Sequence, residues 1–340
     1  MMASATSPAT NSGKANMESV SKPFPFTLAC LSMFISAAFL LHAAVPHTPS
    51  TFGANPFLRS RSALRVSELS FSSSLSIRPL NAQVASNHSH SYLGFDRNIY
   101  PGDAAMPILR NTFAFTNYWL SPPPGERTNT WRGKREFLRS RGFGFLVLYR
   151  GRESRELKNE AAAKRIGIQD AKDAVDAAKS AGFASGTIIF LDVEEGGRLP
   201  ASYHAYLGVW SEELTRAGYH PGVYCSGMPV KEEPGVTITA ADDIRNDAAS
   251  RDISIWAYND SCPPSPGCTF PQDPPPPSSS GIGYAAVWQF AQSPRRKEFT
   301  AHCPAKYAPD GNCYAPDDIA RSWLLDVNTA TSPDPSGGAK

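Results

Sequence analysis

From Ser91 onward the chain alternates strand-like and helix-like segments, and this alternation limits the possible folds more than any other feature. Apolar runs such as "FGFLVLYRG" and "TIIFL" indicate buried parallel strands. The segments "GIQDAKDAVDAAKSAG" and "SYHAYLGVWSEELTRAG" are amphipathic and indicate helices that end at Gly182 and Gly218. Roughly eight strands can be counted, several of them separated by helices. The sequence therefore predicts an α/β fold. We expect a (β/α)8 TIM-barrel-like domain over residues 91–330, in which the second half can depart from the regular alternation of strands and helices.

The strand in "TIIFLDVEEG" (187–196) ends in two carboxylates spaced two residues apart. Because side chains alternate along a strand, Asp192 and Glu194 should point to the same side at its carboxyl end. Burying an unpaired charge is costly, so a pair of acids at this position indicates either an exposed acidic turn or a functional site. The D-x-E pattern alone is a weak signal. The residues at the other strand ends are needed to distinguish an exposed acidic turn from a functional site.

Polar and aromatic residues also occur where the other predicted strands end. In a TIM barrel these ends converge on one face, where the βα loops build the active site. Carboxyl groups packed together raise one another's pKa, which keeps one of them protonated for acid-assisted glycoside cleavage. We therefore predict four catalytic acids and a set of sugar-binding residues, although each aromatic residue alone could equally belong to the core. The predicted acids are Asp96, Asp192, Glu194 and Asp326, and the predicted substrate-binding residues are Tyr118, Tyr149, Tyr224, Trp256, Tyr258 and Gln289.

The N-terminus has the composition of a targeting segment. Residues 1–22 are small and polar, and the apolar run "PFPFTLACLSMFISAAFLLHAAV" follows, with small residues at Ala43 and Ala44. This order predicts a signal peptide within residues 1–45, or an uncleaved anchor, since the run is also long enough to cross a bilayer. Residues 46–90 are rich in Ser, Pro and Asn and are expected to form a flexible linker, with an organelle transit segment as a minor alternative. Residues 331–340 are expected to be a disordered tail, and the protein is expected outside the cytoplasm.

Cysteine usage is consistent with export. Cys262 and Cys268 flank a Pro/Gly turn, and Cys303 and Cys313 flank a second loop, so we predict two local disulfides, although four cysteines allow three pairings. Cys225 is expected to be a small buried hydrophobe. No cysteine spacing matches a zinc site, and we predict neither a metal nor another cofactor.

Charge and length exclude some partners. The chain has 340 residues with 41% hydrophobic content, enough for one large core, and it carries 33 basic against 31 acidic residues. No basic stripe is interleaved with aromatics, so nucleic acid is not an expected partner. We expect a polysaccharide partner, and contact with a membrane only through an uncleaved N-terminal segment.

Six segments occur in an order that resembles known glycoside hydrolases. They are "GFDRNIYPG", "IIFLDVEEG", "GYHPGVYCSG", "ISIWAYND", "AVWQFAQ" and "LLDVN". Together they resemble the glycoside hydrolase family 25 lysozymes and, more closely, the bacterial glycoside-hydrolase-like domain known as domain of unknown function 1906. The likeness covers about residues 91–330 and does not extend to the first ninety residues.

The resemblance implies a catalytic arrangement. In the lysozymes the strand-one Asp, the D-x-E pair and the final-strand Asp line the active site, and these map onto Asp96, Asp192, Glu194 and Asp326. The glutamate is the general acid in that family, so Glu194 would donate the proton. Asp192 would then stay ionised and stabilise the N-acetyl group or the developing positive charge.

The chain departs from the lysozymes at two places. The segment "DRNIYPG" replaces the family's usual continuation after its first Asp, and the insert 259–284 and the loop 299–314 could reshape the cleft. The leading hypothesis is an exported enzyme that cleaves or remodels peptidoglycan or another N-acetylhexosamine glycan. The alternative is an inactive barrel that binds cell-wall glycan or a protein partner. A hydrolase with a cysteine or serine nucleophile is disfavoured because the sequence has no G-x-S-x-G motif.

Overall fold

The computed structural model describes residues 90–247, 252–264, 270–271, 273–303, 311–315, 321 and 323–340. The chain divides into two units, Met1–Leu80 and Asn81–Lys340, and all of the described residues belong to the second. The predicted targeting segment 1–45 and nearly all of the predicted linker 46–90 therefore lie outside the described residues. Among the helices that are described, none combines the length and the apolar composition needed to cross a membrane.

The elements follow one another much as the sequence alternation predicts. The strands are β1 (Tyr92–Asp96), β2 (Phe115–Trp119), β3 (Gly144–Arg150), β4 (Ile188–Asp192), β5 (His220–Ser226), β6 (Val230–Glu233), β7 (Val236–Ile238), β8 (Ser254–Tyr258), β9 (Val287–Ala291) and β10 (Asp326–Ala330). The helices are α1 (Met106–Arg110), α2 (Arg135–Ser140), α3 (Glu160–Ser180), α4 (Ala201–Arg216), α5 (Ala240–Asp247) and α6 (Lys297–Thr300). Two short 3-10 segments, Ser154–Glu156 and Pro277–Ser280, lie in the connecting loops.

Eight strands close into a barrel in the order β1-β10-β9-β8-β5-β4-β3-β2. The pairs from β1 through β2, β3, β4, β5 and β8 to β9 are parallel, whereas β10 runs antiparallel to both of its neighbours, β1 and β9. Strands β6 and β7 form a separate antiparallel hairpin between β5 and α5. The predicted barrel class is thus confirmed, and its second half is the irregular part.

The barrel interior is filled by large side chains that face glycines. A Cβ atom at Gly94 would lie 2.0 Å from the Phe115 ring, and one at Gly222 would lie 2.6 Å from the Phe190 ring. The Phe115 and Phe190 side chains are fully buried. A small residue on one strand therefore makes room for an aromatic ring on the next, and the barrel below its mouth is a packed core rather than a channel.

The longest helix, α3, begins and ends at the signals present in the sequence. The Asn159 side chain accepts a hydrogen bond from the Ala162 backbone N–H at 2.9 Å, which caps the first turn. The predicted stop residue Gly182 has φ +85°, a conformation that glycine adopts without strain. Helix α3 packs against α4 on the outside of the barrel.

Residues 331–340 pack against the barrel, in contrast to the disorder expected from their composition. Carboxylate Oδ1 of Asp334 accepts a hydrogen bond from the Phe145 N–H at 2.9 Å. The Ser336 hydroxyl oxygen accepts from Val147 N–H at 2.9 Å, and its carbonyl accepts from Ile188 N–H at 2.9 Å. The tail thus satisfies backbone donors at the amino ends of β3 and β4, which composition alone does not reveal.

Both predicted local disulfides are wrong. Cys303 is disulfide-bonded, whereas Cys262 and Cys313 are free thiols, so each predicted pair contains a free cysteine. Cys313 is buried, and its sulfur accepts a hydrogen bond from Arg295 Nε at 3.2 Å. The sulfur of Cys262 lies 3.3 Å from Asn259 Nδ2. Nearness in sequence therefore did not identify the bonded pair, because each of these two sulfurs has a polar contact of its own.

Candidate active site

A cavity of about 140 Å³ opens at the end of the barrel where the parallel strands finish. All four predicted acids line it. The other lining residues are Asn98, Trp119, Leu148, Tyr224, Trp256, Gln289 and Gln292. Topology explains this convergence, because the carboxyl ends of parallel barrel strands meet on one face.

Asp326 reaches this cavity by a route that the sequence did not predict. It is the first residue of β10, not a residue at the strand's carboxyl end. Because β10 is antiparallel to β1, its amino end lies at the mouth, and the register pairs Asp326 directly with Asp96. The Ser293 backbone N–H donates a hydrogen bond to Oδ1 of Asp326. The predicted location is therefore right, whereas the predicted strand direction is wrong.

Asp96 is held by two amide side chains. Gln289 Nε2 donates to Oδ1 of Asp96 at 2.9 Å, and Asn328 Nδ2 donates to the same oxygen at 2.6 Å. Burial raises the pKa of Asp96 to about 6, against the opposing effect of these two hydrogen bonds, which favour the ionised form. Asp96 is therefore mostly ionised at neutral pH.

The amides that hold Asp96 belong to a larger network. The Tyr224 hydroxyl donates to Gln289 Oε1 at 2.8 Å, and Gln292 Nε2 donates to the same oxygen at 3.1 Å. Trp256 Nε1 donates to Asn328 Oδ1 at 2.9 Å. Each amide oxygen thus accepts from a neighbour, which leaves its NH2 group oriented towards the carboxylate.

Asp192 and Glu194 point to the same side, as the strand alternation predicts, and their carboxyl groups share a hydrogen bond. Asp192 is only 6% exposed, whereas the Glu194 side chain is exposed at the cavity mouth. Burial, followed by the charge of Glu194, raises the pKa of Asp192 well above its usual range. Burial and then the charge of Glu195 raise the pKa of Glu194 as well, while the hydrogen bond from Asp192 opposes that rise. The two carboxyl groups therefore titrate as a coupled pair in which burial raises the pKa of both.

The burial of Asp192 bears on the role that the sequence predicts for it. Asp192 was expected to remain ionised beside a protonated Glu194, but it is the more deeply buried of the two, and burial disfavours the charged form. Burial, followed by the charge of Asp96, likewise raises the pKa of Asp326 well above its usual range. The cavity thus holds two buried aspartates whose pKa is raised, an Asp96 held by two amides, and an exposed glutamate.

The six predicted substrate-binding residues divide between the cavity and other positions. Tyr224, Trp256 and Gln289 line the cavity, although all three are largely buried and serve the hydrogen-bond network. Tyr118 and Tyr149 do not line it, because strand parity turns them to the outer face of the barrel. The Tyr118 ring packs against Phe145 and Phe183.

Tyr258 also lies off the cavity. Its hydroxyl oxygen accepts a hydrogen bond from Arg296 at 3.2 Å, and Arg296 forms an ion pair with Asp260. Tyr118 and Tyr149 lie outside the cavity, and their sequence neighbours Trp119 and Leu148 line it instead. Sequence reasoning missed this one-residue offset because it selected residues near the strand ends without fixing which face each one occupies.

The described residues contain no group of three or more His, Cys, Asp or Glu side chains with metal-binding geometry. Cys225 is fully buried, and burial raises its pKa far above the usual range of a thiol. A buried protonated thiol is a poor nucleophile. The chemistry available at this mouth is therefore that of its carboxyl groups.

The barrel with its acid-lined mouth is similar to glycoside hydrolase-like domains. Residues 124–265 match the model of the Rv2525c-like, glycoside hydrolase-like domain family, which confirms the resemblance noted in the sequence. This segment includes the D-x-E pair, whereas Asp96 and Asp326 lie outside it. A comparison with curated proteins gave no significant match.

Several solved structures are similar to this chain. An uncharacterised protein from B. stearothermophilus is 21% identical, and the alignment covers 70% of this chain and 95% of that chain, with a TM-score of 0.45. The Tat-secreted protein Rv2525c of Mycobacterium tuberculosis is 15% identical, with coverage of 72% and 96% and a TM-score of 0.41. A family GH25 lysozyme from Aspergillus fumigatus is 14% identical, with coverage of 59% and 88% and a TM-score of 0.36.

Proposed function

We propose that this chain is a glycan-cleaving enzyme that acts on peptidoglycan or a related N-acetylhexosamine polymer. The observation that carries the proposal is the convergence of four carboxyl groups in one cavity at the barrel mouth. Glycoside cleavage needs one carboxyl group that gives a proton to the departing oxygen and another that bears negative charge. The different surroundings of the four acids supply both kinds of group.

In this proposal Glu194 delivers the proton. It is the exposed member of the pair, so a glycosidic oxygen at the mouth can reach it. Asp192 holds the proton in the free protein and passes it across their shared hydrogen bond as Glu194 gives it up. Glu194 thus acts as the general acid, and Asp192 supplies the proton to Glu194.

Asp96 supplies the negative charge. Its two amide donors keep it ionised near neutral pH, and it faces the same cavity as Glu194. A positive charge that develops on the sugar ring during cleavage would be stabilised by this fixed carboxylate. Asp326 lines the same cavity and would contact the substrate there. A water molecule completes the hydrolysis: its oxygen bonds to the sugar carbon in place of the departing oxygen, which leaves with the proton from Glu194.

The direct test is hydrolysis of purified peptidoglycan by the wild-type chain and by Glu194→Gln. The substitution keeps the shape of the side chain but removes the titrating proton. We expect product release by the wild type and a loss of about a hundred- to ten-thousand-fold in the variant. Equal activity of the two proteins would contradict the assigned role of Glu194.

A second candidate function is glycan binding without cleavage. The segment "DRNIYPG" favours it, because it departs from the lysozyme pattern directly after Asp96, one of the four acids. A wild-type chain that binds peptidoglycan and releases no product over many hours would support this reading.

We also propose that the protein acts outside the cytoplasm. The proposal rests on the polar-then-apolar order of residues 1–45 and on the disulfide at Cys303, since structural disulfides persist in oxidising compartments. Fractionation of an expressing cell tests it directly. Recovery of the full-length chain from the soluble cytoplasm would contradict it.

A further inference from the structure

A cavity of about 560 Å³, which we call the outer cavity, lies beside the barrel and away from the four acids. It is enclosed by the end of β2, the segment that leads into α2, α2 itself and the last turn of α3. Its volume is four times that of the acid-lined cavity and lies within the roughly 300–1,000 Å³ of typical small-molecule sites. Trp119 is the residue that lines both cavities. The outer cavity is therefore large enough for a ligand of its own.

Arg132 brings a positive charge to the outer cavity. Its side chain is exposed and, within the part of the chain that the structure describes, makes no hydrogen bond or ion pair. Burial raises the pKa of the neighbouring Tyr118 hydroxyl, whereas the hydrogen bond from Gly133 N–H and the charges of Arg132 and Arg135 oppose that rise. Both guanidinium groups therefore lie close to the wall of the cavity that Tyr118 forms.

The acidic residue of the outer cavity is already paired. The charged lining residues are Arg132, Arg135 and Glu136. Glu136 forms ion pairs with Arg135 and, at 3.0 Å, with Arg139, which does not line the cavity. The charge of Glu136 is thus compensated by the two arginines that it contacts. Arg132 is left as the lining cation without a counter-ion.

Two buried nitrogen donors in the wall of the cavity also lack a partner. Trp119 is 4% exposed and Arg135 is 5% exposed, yet neither Nε1 of Trp119 nor Nε of Arg135 makes a hydrogen bond. The other nitrogens of Arg135 are used, because Nη1 contacts Glu136 and Nη2 donates to the carbonyl oxygens of Gly338 and Lys340 at 2.8 Å each. Buried donors are nearly always paired in folded proteins. Two unpaired donors at one cavity therefore point to a ligand with acceptor oxygens.

We propose that the outer cavity binds a small organic carboxylate. The carboxylate oxygens accept from the Arg132 guanidinium, whose paired N–H donors match them, and the apolar body of the ligand lies against Ala177 and Ala181 of the α3 end. A single uncompensated cation matches the single charge of a carboxylate, whereas a phosphate monoester carries close to two negative charges at neutral pH. The inference does not depend on glycan cleavage, because none of the four acids lines this cavity.

The test measures the binding of three small probes to the full chain by ligand-observed NMR titration. The probes are phenylacetate, its neutral analogue phenylacetamide, and phenyl phosphate. Three variants are compared with the wild type. Arg132→Gln removes the proposed anchor, and Ala177→Leu fills part of the cavity with a residue that favours helix. Arg127→Gln is the matched control, because Arg127 is an exposed arginine of the same loop that lines neither cavity.

The expected result is selective. The wild type should bind phenylacetate more tightly than phenylacetamide or phenyl phosphate. Arg132→Gln should weaken the binding of phenylacetate by about ten- to a hundredfold, the usual range for a hydrogen bond to a charged group, and should leave phenylacetamide unchanged. Ala177→Leu should weaken both of these probes, because it removes the space that their rings occupy. Arg127→Gln should change none of the affinities.

Four results would overturn the inference. They are wild-type binding of phenylacetamide as tight as that of phenylacetate, binding of phenyl phosphate at least as tight as that of phenylacetate, an equal loss in Arg132→Gln and Arg127→Gln, and unchanged binding of phenylacetate by Ala177→Leu. Unchanged thermal unfolding of the variants excludes a folding defect. Hydrolysis of peptidoglycan is measured separately, so that a chain that binds phenylacetate as expected but never cleaves contradicts the proposed function and leaves this inference standing.

Discussion

At the scale of single residues, strand parity decides which side chains enter the cavity. Asp192 and Glu194 lie where the D-x-E spacing predicts, because a two-residue step keeps both on one face. The same rule excludes Tyr118 and Tyr149, whose neighbours Trp119 and Leu148 line the cavity instead. The unequal burial of Asp192 and Glu194 could not be predicted, since the two acids look equivalent in sequence.

The surroundings of Asp96 predict a stabilising substitution. Its pKa is about 6 in the folded chain, above its ordinary value of 3.8, so its ionisation disfavours the folded state. This contribution is absent below about pH 4, grows as the pH rises from about 4 to about 6, and levels off once Asp96 is ionised in the folded chain as well. Asp96→Asn keeps an oxygen that can accept from Gln289 and Asn328 but cannot ionise. We expect it to raise the free energy of unfolding at pH 7 by about 1–3 kcal/mol and to lower activity.

Urea denaturation at pH 7 and pH 4 measures this effect. The gain should be present at pH 7 and should shrink towards zero at pH 4. Asp103→Asn is the control, because Asp103 is half-exposed and its hydrogen bond from Lys134 lowers its pKa. A loss of stability in Asp96→Asn at pH 7 would show that the charge on Asp96 is compensated in the folded chain.

At the scale of elements, the sequence indicates where individual helices and strands lie, but it does not indicate which distant segments pair with each other. The end of α3 follows from Gly182 and the strands follow from apolar runs, whereas α3 begins at Glu160, before the predicted segment that starts at Gly167. The reversal of β10 leaves no trace in "LLDVN", because an antiparallel and a parallel strand can have the same residues. Its direction is fixed by the connection that precedes it and by the partners it meets, β1 and β9.

The C-terminal tail provides a prediction at this scale. Asp334 Oδ1 accepts hydrogen bonds from Phe145 N–H and Gly338 N–H, and Oδ2 accepts from Ala339 N–H at 2.9 Å. Asp334→Ala would leave these donors without their partner, and we expect a loss of about 1–3 kcal/mol in the free energy of unfolding. Thermal or urea unfolding measures it.

Asp176→Ala is the matched control for the tail. Asp176 is an exposed residue of α3, and a surface change of this kind is usually within about 0.5 kcal/mol. An equally small effect of Asp334→Ala would mean that the tail adds nothing to the stability of the barrel.

The cysteines provide a second prediction at this scale. Mass mapping without reduction should find Cys303 in a disulfide, and Cys225, Cys262 and Cys313 as thiols. The buried Cys225 and Cys313 should react with an alkylating reagent only after unfolding, while the partly exposed Cys262 should react in the folded protein. A peptide that links Cys303 to Cys313 would contradict the structure.

At the scale of the whole molecule, the sequence was sufficient for the fold class and for the four acids. The ordered segments indicate the barrel, and the barrel brings the acids together. The sequence could not give the size of the cavity or the amide network around Asp96. These depend on how loops far apart in sequence meet at the mouth, and no local pattern encodes such a meeting.

The central claim is that the acid-lined mouth cleaves a glycan through Glu194. The measurement that tests it most directly is the rate of product release from purified peptidoglycan by the wild type, by Glu194→Gln and by Glu160→Gln, an exposed glutamate at the start of α3. We predict release by the wild type and by Glu160→Gln, and a rate about a hundred- to ten-thousand-fold lower for Glu194→Gln. A folded Glu194→Gln variant that releases product as fast as the wild type would contradict the claim.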